Sequence, residues 1–374
     1  MNSSALTADV PALDDRRVAA AALAALDRMY PETLHMLWKQ WNDPLDMLAA
    51  VQSGRAATAL AAGRRDAHQL VRAWQAQLDL AATEAGLRSH ATHVLVAGAS
   101  DFPFETELPH SPIVLFAEGQ RADALGRPRV GVVGTRAATP HGLADAYELG
   151  GVLARAGVTV VSGLAIGIDA AAHAGALDAS GTAIGVLGTG LDIVYPRRHG
   201  RLHERVREQG LLISEYRHGT GPHPSRFPQR NRIIAALADV VVVVEATESG
   251  GARITANFAT EYGRDVGAYP GSRRNPSARG SNELLRTAHL IVDPEDVLLL
   301  LGLTPGDRRT PDAGGGAPAT LDEHAVQLAL GGEPATVDEI TTRTGLGPGP
   351  VAVAVAGLVR SGRLRRASGL LWPT

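Results

Sequence analysis

Val130-Gly131-Val132-Val133-Gly134-Thr135-Arg136 is a short β-branched run that stops at a glycine and opens into a basic turn. Strands buried on both faces of a parallel sheet read as continuous Val/Ile runs. A glycine turn after such a strand bares backbone amides at the next helix N-terminus, where an anion is held. The same plan recurs along the chain. Strands are expected at 94–97, 113–116, 129–133, 158–161, 182–187, 210–214, 240–245, 265–269 and 290–292. Helices are expected between them at 142–156, 170–179, 200–209, 229–238 and 254–263. Strand and helix in alternation predict an α/β fold, an extended Rossmann-like and mainly parallel sheet covered on both faces. Ligands of such sheets bind at the carboxyl ends of the strands.

The flanks read differently. Residues 1–104 are predicted to form a small helical domain of the SAM or helix-hairpin-helix kind, with helices at 18–30, 44–54 and 64–85. Asp43 caps the second of these, with Pro44 in its first turn. The Rossmann-like domain occupies 105–302. Residues 303–320, rich in Pro, Gly, Asp and Arg, read as a linker. Residues 321–374 carry three helices and a short hairpin, the pattern of a winged helix, and Thr336-Val337-Asp338-Glu339 is a capping box.

Composition narrows the chemistry. The 374 residues contain no cysteine, which excludes disulfides, thiolate metal sites and cysteine nucleophiles. No apolar run approaches the roughly 20 residues of a membrane helix, and residues 1–12 lack a signal-peptide pattern, so a soluble cytoplasmic protein is expected. The net charge of −3 does not advertise nucleic acid, but its distribution does. Between Pro196 and Arg232 nine arginines face three glutamates. Lys39 is the single lysine. Within that segment, Arg226-Phe227-Pro228-Gln229-Arg230-Asn231-Arg232-Ile233-Ile234 joins phosphate-binding cations to an aromatic on which a base can stack.

Five loops fall at strand ends. In the first, Gly134 and Thr135 supply amides and Arg136 a bidentate grip on phosphate. The spacing is not G-x-G-x-x-G, and no acidic residue follows about 20 positions on, so a dinucleotide site is disfavoured. In the second, Ser162 and the amides near Gly163 are candidates for another phosphate. Asp169 and His173, four apart, suggest a helix cap and a packed histidine rather than a metal pair, because no third ligand lies nearby. In the third, Tyr195 is either a base platform or a core aromatic, and Arg197, Arg198 and Arg201 follow it. The fourth runs from Glu245 through Gly250-Gly251 to Thr255, a helix N-terminus facing the crevice, with Glu245 expected to orient an arginine such as Arg232. The fifth, Tyr269 to Arg274, adds two cations. No nucleophile, base and acid join these loops as a catalytic set, and no cofactor or metal is implied.

The order of these motifs resembles the bacterial DNA-processing protein A family (DprA, also called Smf). The resemblance rests on Val133-Gly134-Thr135-Arg136 with Gly142, on Ser162 through Asp169 with His173, and on Leu191 through Pro196. Ser214-Glu215, Phe227 through Ile234, Glu245-Ala246, Gly263-Arg264, Pro270-Gly271 and Gly280-Ser281-Asn282 with Leu284 continue it. It implies a non-catalytic, homodimeric protein that binds single-stranded DNA and loads the RecA recombinase on it during natural transformation. By motif position, Arg136 would hold phosphate beside Ser162 and Gly163. Arg226 and Phe227 would grip backbone and base, and Asn231 would hold that nucleotide. Gly134, Thr135, Arg198, Arg230, Arg232 and Thr255 complete the DNA-binding set. Two departures stand out: Gly250-Gly251 replaces the family's usual Ser-Gly, and arginines stand where relatives use lysines. Competing readings are a nucleoside-monophosphate phosphoribohydrolase, which Gly250-Gly251 with Thr255 and Glu261 echoes at the wrong spacing, and a winged-helix regulator.

Overall fold

A computed structural model describes residues 13–104, 108–303, 321–330, 335–360, 364–367 and 370–373. The expected linker lies outside these residues except for Leu303, as do residues 1–12. Contacts divide the chain into two compact units, Met1–Arg309 and Thr310–Thr374.

The first unit is built on nine strands: β1 (His93–Val96), β2 (Val114–Glu118), β3 (Arg129–Val133), β4 (Thr159–Ser162), β5 (Ala183–Leu187), β6 (Leu211–Ser214), β7 (Val240–Val243), β8 (Asp265–Ala268) and β9 (His289–Leu290). Their order across the sheet is β1-β2-β6-β5-β4-β3-β7-β8-β9. β6 through β9 run parallel, and β1 and β2 are antiparallel additions at one edge. The sheet is thus mixed but mostly parallel, as the alternating grammar predicts. Antiparallel β1 and β2 are legible as strands but not in direction.

Six helices precede the sheet: α1 (Asp15–Ala24), α2 (Pro31–Trp41), α3 (Pro44–Gln52), α4 (Arg55–Ala61), α5 (Ala67–Gln77) and α6 (Leu80–Ser89). The single helix expected over 64–85 is broken where Leu78 turns extended and Asp79 caps α6 by accepting the Ala82 amide. The Asp43 cap of α3 forms as expected, its carboxylate accepting from Leu45 and Asp46. These helices share one core with Val94, Phe116, Leu187 and Leu212 of the sheet, so they pack on it directly.

Helices α7 (Pro140–Arg155), α8 (Ile168–Asp178), α9 (Gly200–Gln209), α10 (Arg226–Leu237), α11 (Gly251–Glu261), α12 (Arg279–Leu284) and α13 (Glu295–Leu300) interleave with the strands. Side chains alternate across each strand. Val130, Val132, Val240 and Val242 pack with residues of α7, α8 and α13, whereas Val133, Val241 and Val243 pack with residues of α10 and α11. That double coverage is why these strands read as unbroken valine. α7 and α8 approach at backbone distance through two glycines. A Cβ on Gly150 would stand 2.2 Å from the Ala172 carbonyl oxygen, and one on Gly175 would stand 1.9 Å from that of Tyr147.

The chain climbs from β3 through β4 and β5 to β6, then returns to place β7 on the other side of β3. Strand order therefore reverses between β3 and β7. A doubly wound sheet opens a crevice at the carboxyl ends of such a pair.

The second unit contains α14 (Leu321–Leu330), α15 (Val337–Thr344), α16 (Pro348–Arg360) and the antiparallel pair β10 (Leu364–Ala367) and β11 (Leu370–Pro373). The Thr336–Glu339 capping box forms with both of its hydrogen bonds. Val326, Ile340, Val351, Leu358 and Leu371 close a separate core.

Candidate nucleic-acid interface

A cavity of about 350 Å³ lies over the β3–β7 switch point. Its walls are Gly134, Thr135 and Arg136 after β3, Phe227, Arg230 and Asn231 on α10, and Gly250, Gly251 and Thr255 at the start of α11. α10 begins at Arg226, three residues before the expected start, which puts Phe227 and Asn231 on one helical face turned to the crevice. Gly250 is the N-cap of α11 and offers no side-chain cap; its carbonyl takes the Arg253 amide, and the Gly251 and Ala252 amides have no partner among the described residues. The Thr255 hydroxyl, 1% exposed, has no hydrogen-bond partner among the described residues.

Arg136 is the free cation of this wall. Among the described residues no carboxylate pairs with it, and its guanidinium carbon lies 5.6 Å from the Phe227 ring centroid. The turn that carries it is pinned from below: the Thr135 amide donates to the Glu245 carbonyl over 2.7 Å. Gly167 has φ of 89° and packs so closely under the turn that a Cβ would stand 2.4 Å from the Thr135 oxygen. Only glycine adopts that backbone without strain.

Several expected contacts are turned into the protein itself, although Gly163 lines a small cavity with Arg136 and Phe227 beside the crevice. Ser162 is fully buried, and its hydroxyl donates to the Val132 carbonyl over 2.6 Å. The Gly163 amide donates to Asp169 over 3.0 Å, and that of Ala165 to the same oxygen over 3.4 Å. The protein's own carboxylate therefore fills the second loop's anion cradle. The expectation that Asp169 caps α8 is corrected, because the residue lies inside the first turn of the helix. The N-cap is Gly167. Burial raises the Asp169 pKa, against the pull of Arg230 and of the loop amides. His173 packs as expected: its Nε2–H donates to the Ile184 carbonyl over 3.1 Å, and burial pushes its pKa down to about 4.

Two arginines of the 226–232 segment face inward. Arg232, 6% exposed, pairs with Glu215 over 2.7 and 2.8 Å and does not line the cavity. The expected Arg232–Glu245 pairing is corrected by this geometry. Glu245 instead accepts the Thr139 amide at 2.8 Å and the Asn275 side chain at 2.9 Å, tying together the loops after β3 and β8. Arg230, 4% exposed, donates to the Val186 carbonyl and forms the crevice floor. Burial lowers its pKa to about 10, with Asp169 opposing and Arg136 adding to the shift, so it stays charged at neutral pH. Arg226 donates to the Gly221 carbonyl at 2.5 Å and lies 5.0 Å from the Tyr216 ring. Arg198 is exposed on a single 3₁₀ turn after Pro196 and forms no ion pair among the described residues.

Sequence reasoning missed the Asp169 cradle, because a carboxylate six residues from the amide it satisfies looks like a helix cap. It also missed the contact between Tyr195 and Phe227, whose rings stack with centroids 5.0 Å apart. Among the described residues no cluster of three or more His, Asp or Glu side chains is arranged to hold a metal, and no helix is long and apolar enough to cross a membrane.

Comparison with known proteins agrees with this architecture. Residues 93–302, more than half of the chain, match the family described as DNA recombination-mediator protein A. Protein Smf of Synechocystis is 42% identical over 203 residues, 53% of this chain and 51% of that protein. The DNA processing protein DprA of Streptococcus pneumoniae is 41% identical over 199 residues, 53% of this chain and 70% of that protein. The chain thus aligns with about half of the Synechocystis relative. The crystal structure of the S. pneumoniae protein superposes with a TM-score of 0.66 at 30% identity, over 77% of this chain and 98% of that one. A Helicobacter pylori DNA processing protein A, whose structure concerns its single-stranded DNA binding mode, gives a TM-score of 0.50 at 28% identity, over 56% of this chain and 95% of that one. A crevice at the strand reversal, an unpaired Arg136 over Phe227 and a family match across the whole sheet converge: the chain belongs to the DNA recombination-mediator protein A family, also named DprA or Smf.

Proposed function

We propose that this protein binds single-stranded DNA in the β3–β7 crevice without acting on it chemically. The observation that carries the reading is the unpaired Arg136 guanidinium beside the Phe227 ring, opposite the open amides of α11. A backbone phosphate takes the cation and the amides, and an unstacked base takes the ring. Arg136, Phe227 and Asn231, the Gly134–Thr135 turn and Thr255 touch the strand. Arg198 and Arg226 steer it from the rim. Arg230 acts through the floor's charge. Ser162, Gly163 and Arg232 serve the fold. The H. pylori relative, described by its single-strand binding, supports this assignment.

The protein acts as a homodimer in the cytoplasm and hands its strand to RecA during natural transformation. The exposed Leu290, Val292 and Leu299 beside edge strand β9 support pairing through the Rossmann-like domain. Helices α14–α16 with the β10–β11 hairpin act as a winged helix, and α1–α6 act as a SAM-like helical layer on the sheet. Val353, 74% exposed, and Val359 put an apolar surface on α16 where a base-reading helix carries polar side chains, which favours a protein partner for the tail. Equilibrium binding to matched single and double strands, with and without RecA, tests the reading. It requires a clear preference for the single strand and faster RecA filament growth; equal affinity for both strands refutes it.

A further inference from the structure

We propose that Tyr195 is a second base platform, so that the crevice stacks two nucleobases of one strand rather than one; the inference rests on the single-strand reading above. Tyr195 is 41% exposed, although its ring stacks on Phe227 at 5.0 Å between centroids and 30° between planes. A core aromatic of that size would be covered. Its hydroxyl makes no hydrogen bond among the described residues, so nothing polar accounts for its position. With Arg136 and Phe227 it walls a small cavity of about 50 Å³ that adjoins the main one.

The segment that carries the ring is fastened at both ends. The Thr189 hydroxyl donates to the Ile193 carbonyl at 2.9 Å, and Asp192 accepts the Gly219 amide. On the far side, His199 Nδ1–H donates to the Leu164 carbonyl at 2.9 Å, joining this loop to the one after β4. An exposed aromatic held this firmly loses little conformational freedom when a ligand stacks on it. Arg197, Arg198 and Arg201 follow directly, exposed and without ion pairs among the described residues. Arg136 lies beside Phe227, and Arg197 and Arg198 stand on the turn that follows Tyr195 in the chain.

The test uses the full chain and a homothymidine strand carrying one 5-iododeoxyuridine. Tyr195→Leu keeps an apolar side chain against Phe227 but removes the platform. Tyr195→Phe keeps the platform and removes the hydroxyl. Tyr195→Leu is expected to weaken binding by about tenfold, within the range for loss of one stacked base, with the salt dependence unchanged. Tyr195→Phe is expected to bind like wild type. Light-induced cross-linking of the wild-type complex is expected to give adducts on both Tyr195 and Phe227. Wild-type affinity in Tyr195→Leu, or adducts on Phe227 alone, overturns the inference and leaves the crevice assignment standing. A wild-type protein that fails to bind the strand overturns the crevice assignment itself.

Discussion

Replacing Arg232 by methionine separates the two roles that a basic segment can have. The side chain is almost completely enclosed and meets both oxygens of Glu215, itself only 9% exposed. Burial works against the arginine charge, but Glu215 outweighs it and holds the Arg232 pKa above the ordinary value. Removing one member of a buried pair strands the other, at a cost of roughly 3–5 kcal/mol. Burial already raises the Glu215 pKa against the pull of Arg232, and in Arg232→Met the carboxyl loses that pull, so its folded-state pKa rises further. A carboxyl shifted that way binds more protons folded than unfolded. The variant's deficit relative to the wild type therefore grows as pH rises from the wild type's raised folded-state pKa to the variant's still higher one, and shrinks in acid. The double variant Arg232→Met/Glu215→Leu restores an uncharged core and recovers most of the loss. Urea denaturation followed by circular dichroism at neutral and acid pH reads the stability, and salt titration of strand binding reads phosphate contact. A stable Arg232→Met whose salt slope falls by about 0.7 units would refute the reasoning and return Arg232 to the DNA.

The remaining predictions concern the scaffold. His173 carries a folded-state pKa of about 4 against 6.5 unfolded, so its contribution is intact above 6.5 and is lost as pH falls from there toward 4. The loss is on the order of 3 kcal/mol. The wild type should lose that much more stability than His173→Leu between neutral and acid pH, and parallel profiles would refute it. Gly175→Ala drives a methyl into the Tyr147 carbonyl and should lower the unfolding free energy by about 1–3 kcal/mol, and with it the urea midpoint. Gly63→Ala, with nothing within 4 Å, should leave that midpoint unchanged.

The sheet was readable because burial on both faces forces valine at every position of β7, and a glycine turn follows β3, β4 and β5. The antiparallel run of β1 and β2 was not readable, since direction depends on partners far along the chain. At the crevice, Arg136 and Phe227 were legible from residue type and place. Arg232 was not, because a cation inside a helix beside Ile233 reads the same whether it faces solvent or a buried Glu215. Ser162 and Gly163 misled for a related reason: amides after a strand signal an anion, but not that Asp169 is that anion.

The salt dependence of single-strand affinity in wild type and Arg136→Ala tests the crevice most directly. Each phosphate held by a cation releases counter-ions, about 0.7 units of slope per contact on a single strand. The account predicts a steep wild-type slope and one shallower by roughly that amount in Arg136→Ala, with affinity lower for every sequence. Identical slopes and affinities in the two proteins would contradict it.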